Sequence, residues 1–498
     1  PSKSRGLGDV YKRQLLFLSI FSFTGEVSAD EVKKEKIPYG PAPIIAECGE
    51  GRDAIDWIDW TVKGKHPTLG QEVICKGEEE FFRSAAKKIN TIQVSESLRE
   101  IEKGKTNREA MDNIKRGFHA KGHTCAAGKL RTFSMKTTTE KIWSWQKFSQ
   151  DKMQETPVIV TPWSEYYRYL KADNEIDFKY YPKDLKDVKD AFTGPVFGEA
   201  KEYDVLLRLS NGNPRVLPDK MPDFRGLAFK VMQEHSDYRQ LREGTDKGEF
   251  SQDFLMLSNP RMVAGSAQRF MDFTKNTTGG NLKTLTYLKK EAIKGTRISS
   301  FMKKHFFPNH PGNFPDINGR RFWSGSAIRW GDRAARYLVY PCEGEYVEKA
   351  SKLKGDTLKQ RVKDFQDGDE ELNGNYYRAQ LEYEKDWVGS GPLKDRVICY
   401  DFFVQFQKDA RRHSIEDSSI VWDEGPKGAP FTSTPIWVGQ VTATLPELGS
   451  KEEEQCAAKR FNPWNGYEYH RPLGSINRIR NSVYRGSQEL RENSPQKR

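Results

Sequence analysis

Arg480 and Tyr484 stand four residues apart near the C-terminal end of the chain. In a helix that spacing stacks both side chains on one face. A guanidinium beside a phenol favours phenolate, because the opposite charge stabilises the ionised form. Phenolate is a hard anionic donor suited to ferric iron, and tyrosine is a known proximal ligand of haem. By itself an Arg-x-x-x-Tyr is far more often a surface or packing pair, so its weight depends on what accompanies it. A second group is His119, inside the stretch 116–122 (RGFHAKG). An imidazole of unperturbed pKa about 6.5 can take a proton from a bound peroxide and return it to the leaving oxygen. The plainer reading is a structural histidine in a glycine-rich loop; His123 is a lesser candidate. A third element is Arg208 in a strand-like run, which needs an anionic partner if buried. A haem propionate is one such partner. Asp223 and Arg225 read more simply as a structural ion pair.

These residues need elements to hold them. Ser475, after Pro472, is a candidate N-cap for a helix predicted to run to about Leu490, which would carry Arg480 and Tyr484. Alternation predicts strands. In 203–209 (YDVLLRL) Tyr203, Val205, Leu207 and Leu209 share a face and Arg208 takes the other. The runs 227–232, 254–257, 337–340, 397–406 and 437–445 are similar, and in 397–406 Ile398, Tyr400, Phe402, Val404 and Phe406 share a face. Turn formers such as Asn211-Gly212-Asn213-Pro214 separate them. Helices are predicted at 78–99, 266–275 and 282–294. Many strands with few intervening helices suggest an antiparallel barrel or sandwich.

The chain of 498 residues carries 36% hydrophobic and 30% charged residues, with 28 Phe, 20 Tyr and 11 Trp, enough for a large core. The apolar run 15–23 (LLFLSIFSF) follows Lys12 and Arg13 and precedes Val27-Ser28-Ala29. That is the layout of a secretory signal peptide cut after Ala29, and the run is too short to span a bilayer. Residues 1–14 look like translated adapter sequence. The expected organisation is therefore 1–29 as adapter-like residues plus signal peptide, 30–109 as an N-terminal extension packed on the main domain, and 110–498 as the main domain. The net charge of +11 becomes +9 without residues 1–29, and its Lys and Arg are scattered among Asp and Glu. No basic stripe, aromatic platform or motif for nucleic acid is present. Six cysteines without a CxxC or CxxCH indicate neither a zinc ribbon nor covalent haem attachment. With an export signal they permit disulfides, in any of 15 pairings; Cys48 with Cys75 is the one pairing offered.

Taken in order along the chain, several segments resemble haem catalases. The stretch 116–122 resembles the family's distal-histidine segment, 206–210 (LLRLS) and 223–230 (DFRGLAFK) its next motifs, and Arg480 to Tyr484 its Arg-x-x-x-Tyr. Short bacterial catalase-like proteins are the nearer resemblance, through Gln252-Asp253-Phe254, an aromatic–Ser segment at 322–341, Ile415-Glu416-Asp417 to Val421-Trp422, and 461–484 (FNPWNGYEYHRPLGSINRIRNSVY). The resemblance covers roughly residues 110–495. It implies an α+β fold: an eight-stranded antiparallel β-barrel with surrounding helices and an N-terminal helical extension, with haem b between the barrel and the late Tyr-bearing helix. It further implies Tyr484 as axial ligand, Arg480 as its partner, His119 as distal acid–base residue, and Arg116 and Arg208 as propionate ligands. The chain departs from the family in two places. Arg485-Gly486-Ser487 follows the tyrosine where catalases carry an Asp-Thr-type motif, and the distal Asn is missing from Phe250-Ser251-Gln252-Asp253, where Gln252 could substitute as donor.

The implied activity is haem-dependent oxidoreductase chemistry on hydrogen peroxide or organic hydroperoxides, catalase with a second peroxide and peroxidase with an organic reductant. Two alternatives stand beside it: a hydroperoxide-rearranging enzyme similar to catalase-like allene oxide synthases, and an exported haem-binding protein without activity. A small-molecule-binding barrel unrelated to haem is the reading from another class. The expected location is periplasmic or extracellular, with no membrane span in the mature chain and no nucleic-acid partner; a homo-oligomer stays open.

Overall fold

In the computed structural model, residues 39–49, 53–60, 66–103, 122–133, 185–212, 224–234, 237–241, 250–277, 281–294, 298, 321–342, 397–422, 433, 435–446 and 450–492 are described. The signal-like segment, Arg116 and His119 lie outside them.

The first elements are strand β1 (Ile44–Ala46), helix α1 (Ala54–Trp60), strand β2 (Val73–Cys75) and helix α2 (Glu78–Lys103). β1 and β2 pair in parallel, and Cys48 and Cys75 form a disulfide, the pairing offered from sequence. Then come β3 (Gly122–Thr132), the short helices α3 (Leu185–Ala191) and α4 (Gly194–Phe197), β4 (Glu202–Asn211), β5 (Arg225–Gln233) and β6 (Phe250–Leu257). Helices α5 (Ala267–Thr277) and α6 (Asn281–Ile293) precede β7 (Phe322–Trp323), β8 (Ile328–Trp330), β9 (Arg333–Pro341), β10 (Val397–Phe406) and β11 (Ile436–Thr444). Helix α7 (Lys451–Ala458), a single 3-10 turn (Glu468–His470) and helix α8 (Ser475–Glu492) complete the order.

Eight of these strands close a ring in the order β10, β11, β3, β4, β5, β6, β7, β9 and back to β10, every pairing antiparallel. β8 pairs with β9 outside the ring. The fold is thus the expected α+β class, an eight-stranded antiparallel barrel with surrounding helices. The alternating apolar positions line its interior: Val205, Leu207 and Leu209 from β4, Leu227, Phe229 and Val231 from β5, and Ile398, Tyr400, Phe402, Val404 and Phe406 from β10. A pleated strand sends alternate side chains to opposite faces, so each apolar set packs inward. Full burial of a ring such as Phe402 contributes about 1.5–3 kcal/mol.

The wall is not uniform. All seven residues from Arg225 to Val231 are buried, so β5 is covered on its outer face as well. The ring is thin at β7, which meets β6 only at Leu257 opposite Trp323. Beside that gap the Tyr337 phenol takes the place of a strand rung, accepting from Leu255 N and donating to Leu255 O, both at 3.0 Å.

Two further disulfides tie distant segments. Cys125 of β3 joins Cys456 of α7, and Cys342 joins Cys399. The first closes a separation of 331 residues. Such a link removes unfolded-state freedom, so the double variant Cys125→Ala/Cys456→Ala loses about 2–5 kcal/mol of stability. A denaturant titration against the oxidised wild type checks this, and non-reducing peptide mapping should recover the three pairs.

Candidate functional site

Helix α8 carries the Arg480–Tyr484 pair, and the way its first turn is anchored fixes where that pair points. Sequence pointed to Ser475 as the cap, but Ser475 is the first helical residue and its hydroxyl accepts from Ala267 N. The free N–H groups at the helix start go instead to two glutamates distant in sequence. Gly474 N donates to Glu72 Oε1 at 2.9 Å and Ser475 N to Glu416 Oε2 at 2.9 Å. Carboxylates there also complement the helix dipole. Gly474 is required, because its φ is +85° and a Cβ would lie 2.4 Å from Ile415 O. One turn on, Arg478 binds Glu72 at 2.8 Å, Glu78 at 2.5 Å and Glu416 at 3.1 Å, and Arg471 binds Glu72 at 2.5 Å. Burial alone would raise Glu72, but Arg471 and Arg478 outweigh it and hold its pKa down to about 2. Burial pushes Glu416 up, against the opposing pull of Arg478 and with help from the Glu72 charge.

On this fixed helix, Arg480 Nη2 donates to Tyr484 Oη at 3.5 Å, and its guanidinium carbon lies 5.5 Å from the phenol ring centre. Arg480 Nη1 donates to Asn477 Oδ1 at 3.1 Å. Asn477 is buried and braced in turn, its side chain donating to Ala327 O and Leu473 O and its backbone carbonyl accepting from Trp464 Nε1. Tyr484 is half-buried against a cluster on the outer barrel wall: Cys125, Ala228, Leu255, Cys456 and Phe461.

The same wall holds Arg208, whose guanidinium sits 4.5 Å over the Phe461 ring. Next to it Lys230 of β5 pairs with its register partner Asp253 of β6 at 2.8 Å, both buried. Burial raises the Asp253 pKa, while the adjacent Lys230 charge lowers it. Asp253 also accepts from Asn462 N at 2.8 Å, fixing the loop that carries Phe461. Gln252 points the other way, on the face opposite Asp253. Its Oε1 accepts from Tyr467 N at 3.0 Å and its Nε2 donates to Asp253 O at 3.2 Å. Gly466 is needed beside it, since a Cβ would fall 2.3 Å from Oε1. The structure therefore brings Arg208 and Tyr484 to Phe461 with Arg480 beside Tyr484, and Gln252 clamps the 465–467 loop while lining the same small cavity as Arg480. Sequence reasoning missed Asn477, Phe461 and the Lys230–Asp253 pair. Only the pair left a signal, opposite charges in the interior of two mostly apolar strands.

A tyrosine flanked by a fixed guanidinium is a donor set that fits ferric haem on its proximal side. Arg208 shares the outer wall with it, whereas Arg116, the other arginine read as a propionate ligand, lies outside the described residues. The cavity adjoining Arg480 has a volume of about 10 Å³ among the described residues. A cleft of about 1070 Å³ lies elsewhere, lined by α5, α6 and residues such as Val263 and Asp417. Several charges along it are already engaged, Arg269 with Asp56 and Lys294 with Glu291. Among the described residues no group of three or more His, Cys, Asp or Glu is placed to hold a metal ion, and no helix is long and apolar enough to cross a membrane.

No protein-family model matches the chain, and no curated protein matches its sequence. Among solved structures it is similar to a fungal catalase (13% identity, TM-score 0.45), covering 76% of this chain and 59% of that one. Catalase A from Saccharomyces cerevisiae is similar at 12% identity and TM-score 0.42, over 77% of this chain and 64% of that one. A bacterial catalase is similar at 14% identity and TM-score 0.40, over 75% and 56%. The chain thus spans less than two thirds of the length of each of these catalases.

The glutamate clamp sets an acid limit. The folded pKa of Glu72 lies below the unfolded one, so its contribution is complete above the ordinary glutamate value of 4.5 and disappears as pH falls toward 2. Glu72→Gln should cost about 3–5 kcal/mol at neutral pH, because it leaves buried arginines short of a partner. Urea titrations near pH 7 and pH 3 should show the variant's deficit shrinking with acid.

Proposed function

We propose that this chain is an exported haem-dependent oxidoreductase acting on hydrogen peroxide or organic hydroperoxides, with haem b as its cofactor. The observation that carries the reading is the Arg480–Tyr484 pair, 3.5 Å apart on a helix whose start is clamped by buried glutamates. Three disulfides among the described residues favour an oxidising compartment and so support export.

In this reading Tyr484 binds iron through its phenolate oxygen. Arg480 donates to that oxygen and favours its ionised form, and Asn477 keeps the guanidinium from turning away. Arg208 and Arg116 bind the propionates. His119 takes a proton from one peroxide oxygen and returns it to the other as it leaves. Haem, when bound, supplies the redox centre at which the peroxide O–O bond is cleaved. Gln252 is engaged at both ends of its amide, the oxygen accepting from Tyr467 N and Nε2 donating to Asp253 O, and the Asn that catalases carry there is absent. That favours hydroperoxide rearrangement as a second reading with the same Tyr484 and His119.

Reconstitution with haem followed by visible spectroscopy tests the proposal. Wild type should give a high-spin ferric spectrum, and Tyr484→Phe should lose it or bind haem at least about tenfold more weakly. His119→Ala should keep the spectrum and lose about 10²–10⁴-fold in peroxide turnover. Oxygen release marks catalase chemistry, oxidation of an added reductant marks peroxidase chemistry, and conversion of a fatty-acid hydroperoxide without either marks rearrangement. Failure of wild type to take up haem would end the proposal.

A further inference from the structure

The thin place in the barrel wall holds two small polar cavities that share Ser324 and Tyr337 as a common wall. The first, about 10 Å³, is lined by Ser326, His470, Asn477 and Arg480 and so passes from the barrel interior to α8. The second, also about 10 Å³, lies between Trp323, Gln405 and Trp422. A cavity of about 10–15 Å³ is the size of one water molecule, and it holds that water only where two to four polar partners meet it.

Those partners are present. The hydroxyls of Ser324 and Ser326 are buried, with 3% and 1% of their residues exposed, and have no hydrogen-bond partner among the described residues. The buried Trp323 Nε1 likewise donates to none of them. His470 is wholly buried, with Trp330 4.4 Å away and Phe197 and Phe254 around it, and among the described residues its ring meets no polar group beyond the Arg329 backbone. Burial holds this imidazole neutral, so at least one of its nitrogens is an acceptor. Tyr337 Oη uses one lone pair on Leu255 N and keeps a second. Unsatisfied groups of this kind are costly inside a protein, and so many around two water-sized voids point to water.

We propose that these cavities bind two ordered waters, one in each, bridged through Ser324 and Tyr337 into a file that reaches from Trp323 to the Arg480 side of α8. The inner water is held by Ser326 and His470, the outer one by Trp323, and the Ser324 hydroxyl serves both. Each cavity admits a single water and no larger solute. The two waters belong to the barrel wall and are present with or without haem.

A crystal structure of the full chain at a resolution that shows ordered water, with the variants Ser324→Ala and Ser326→Ala studied beside it, tests this. One water is expected in each cavity. Each variant should lose the water its hydroxyl holds and melt about 1–3 °C lower, because a made hydrogen bond is lost. Empty cavities, or a side chain turned to fill them, would overturn the proposal. So would a melting temperature that stays level or rises in either variant, because deleting an orphaned buried hydroxyl is neutral or stabilising.

Discussion

The structure depends on one buried cluster: Glu72, Glu416 and Glu78 around Arg478, with Arg471 beside them. Three segments far apart in sequence meet there. Glu72 and Glu78 flank the β2 strand, Glu416 follows the barrel strand β10, and Arg478 is in the first turn of α8. Charges buried together are costly unless each finds partners, so removing one member of the cluster destabilises the others. This makes it a specificity device. It sets where α8 begins and how it is rotated, and therefore which way Arg480 and Tyr484 face.

The barrel wall gives that helix something to face. Inward residues of β4, β5 and β10 make an ordinary aromatic and aliphatic core. The outward face of β5 and β6 is unusual in being covered too, by the loop that carries Phe461. The Lys230–Asp253 pair pins this loop through Asn462 N, and the Cys125–Cys456 disulfide pins α7 next to it. Tyr484 and Arg208 both rest on Phe461 or its neighbours. A rigid, double-sided wall and a clamped helix place a phenol and a guanidinium at a fixed spacing.

The N-terminal stretch is part of this arrangement. Phe82 and Ala85 of α2 pack with Ile479 of α8 and Ala267 of α5. Asp53 caps α1 through Ile55 N and Asp56 N, and the Ser266 hydroxyl donates to it. Residues before the barrel thus support the same helix that the wall supports through Tyr484.

Much of this was legible in sequence. Period-two alternation marked β4, β10 and β11 to within two residues at each end, since a pleated strand buries Val205, Leu207 and Leu209 together on one face. The four-residue spacing of Arg480 and Tyr484 stated their common face, and helix geometry delivers it. Tertiary structure decided what local pattern cannot encode. Ser475 looked like a cap, yet Glu72 and Glu416 do that work, because a carboxylate brought in by another segment reaches the same N–H groups. Gln252 looked like a donor toward the site, and the fold engages its amide with Tyr467 N and Asp253 O, contacts that no local pattern announces. Ring closure, disulfide partners beyond Cys48–Cys75 and the pairing of Lys230 with Asp253 all depend on strand order. Sequence determined which residues could bury, bend or bind; only the closed barrel, by choosing which distant segments touch, decided which of them meet.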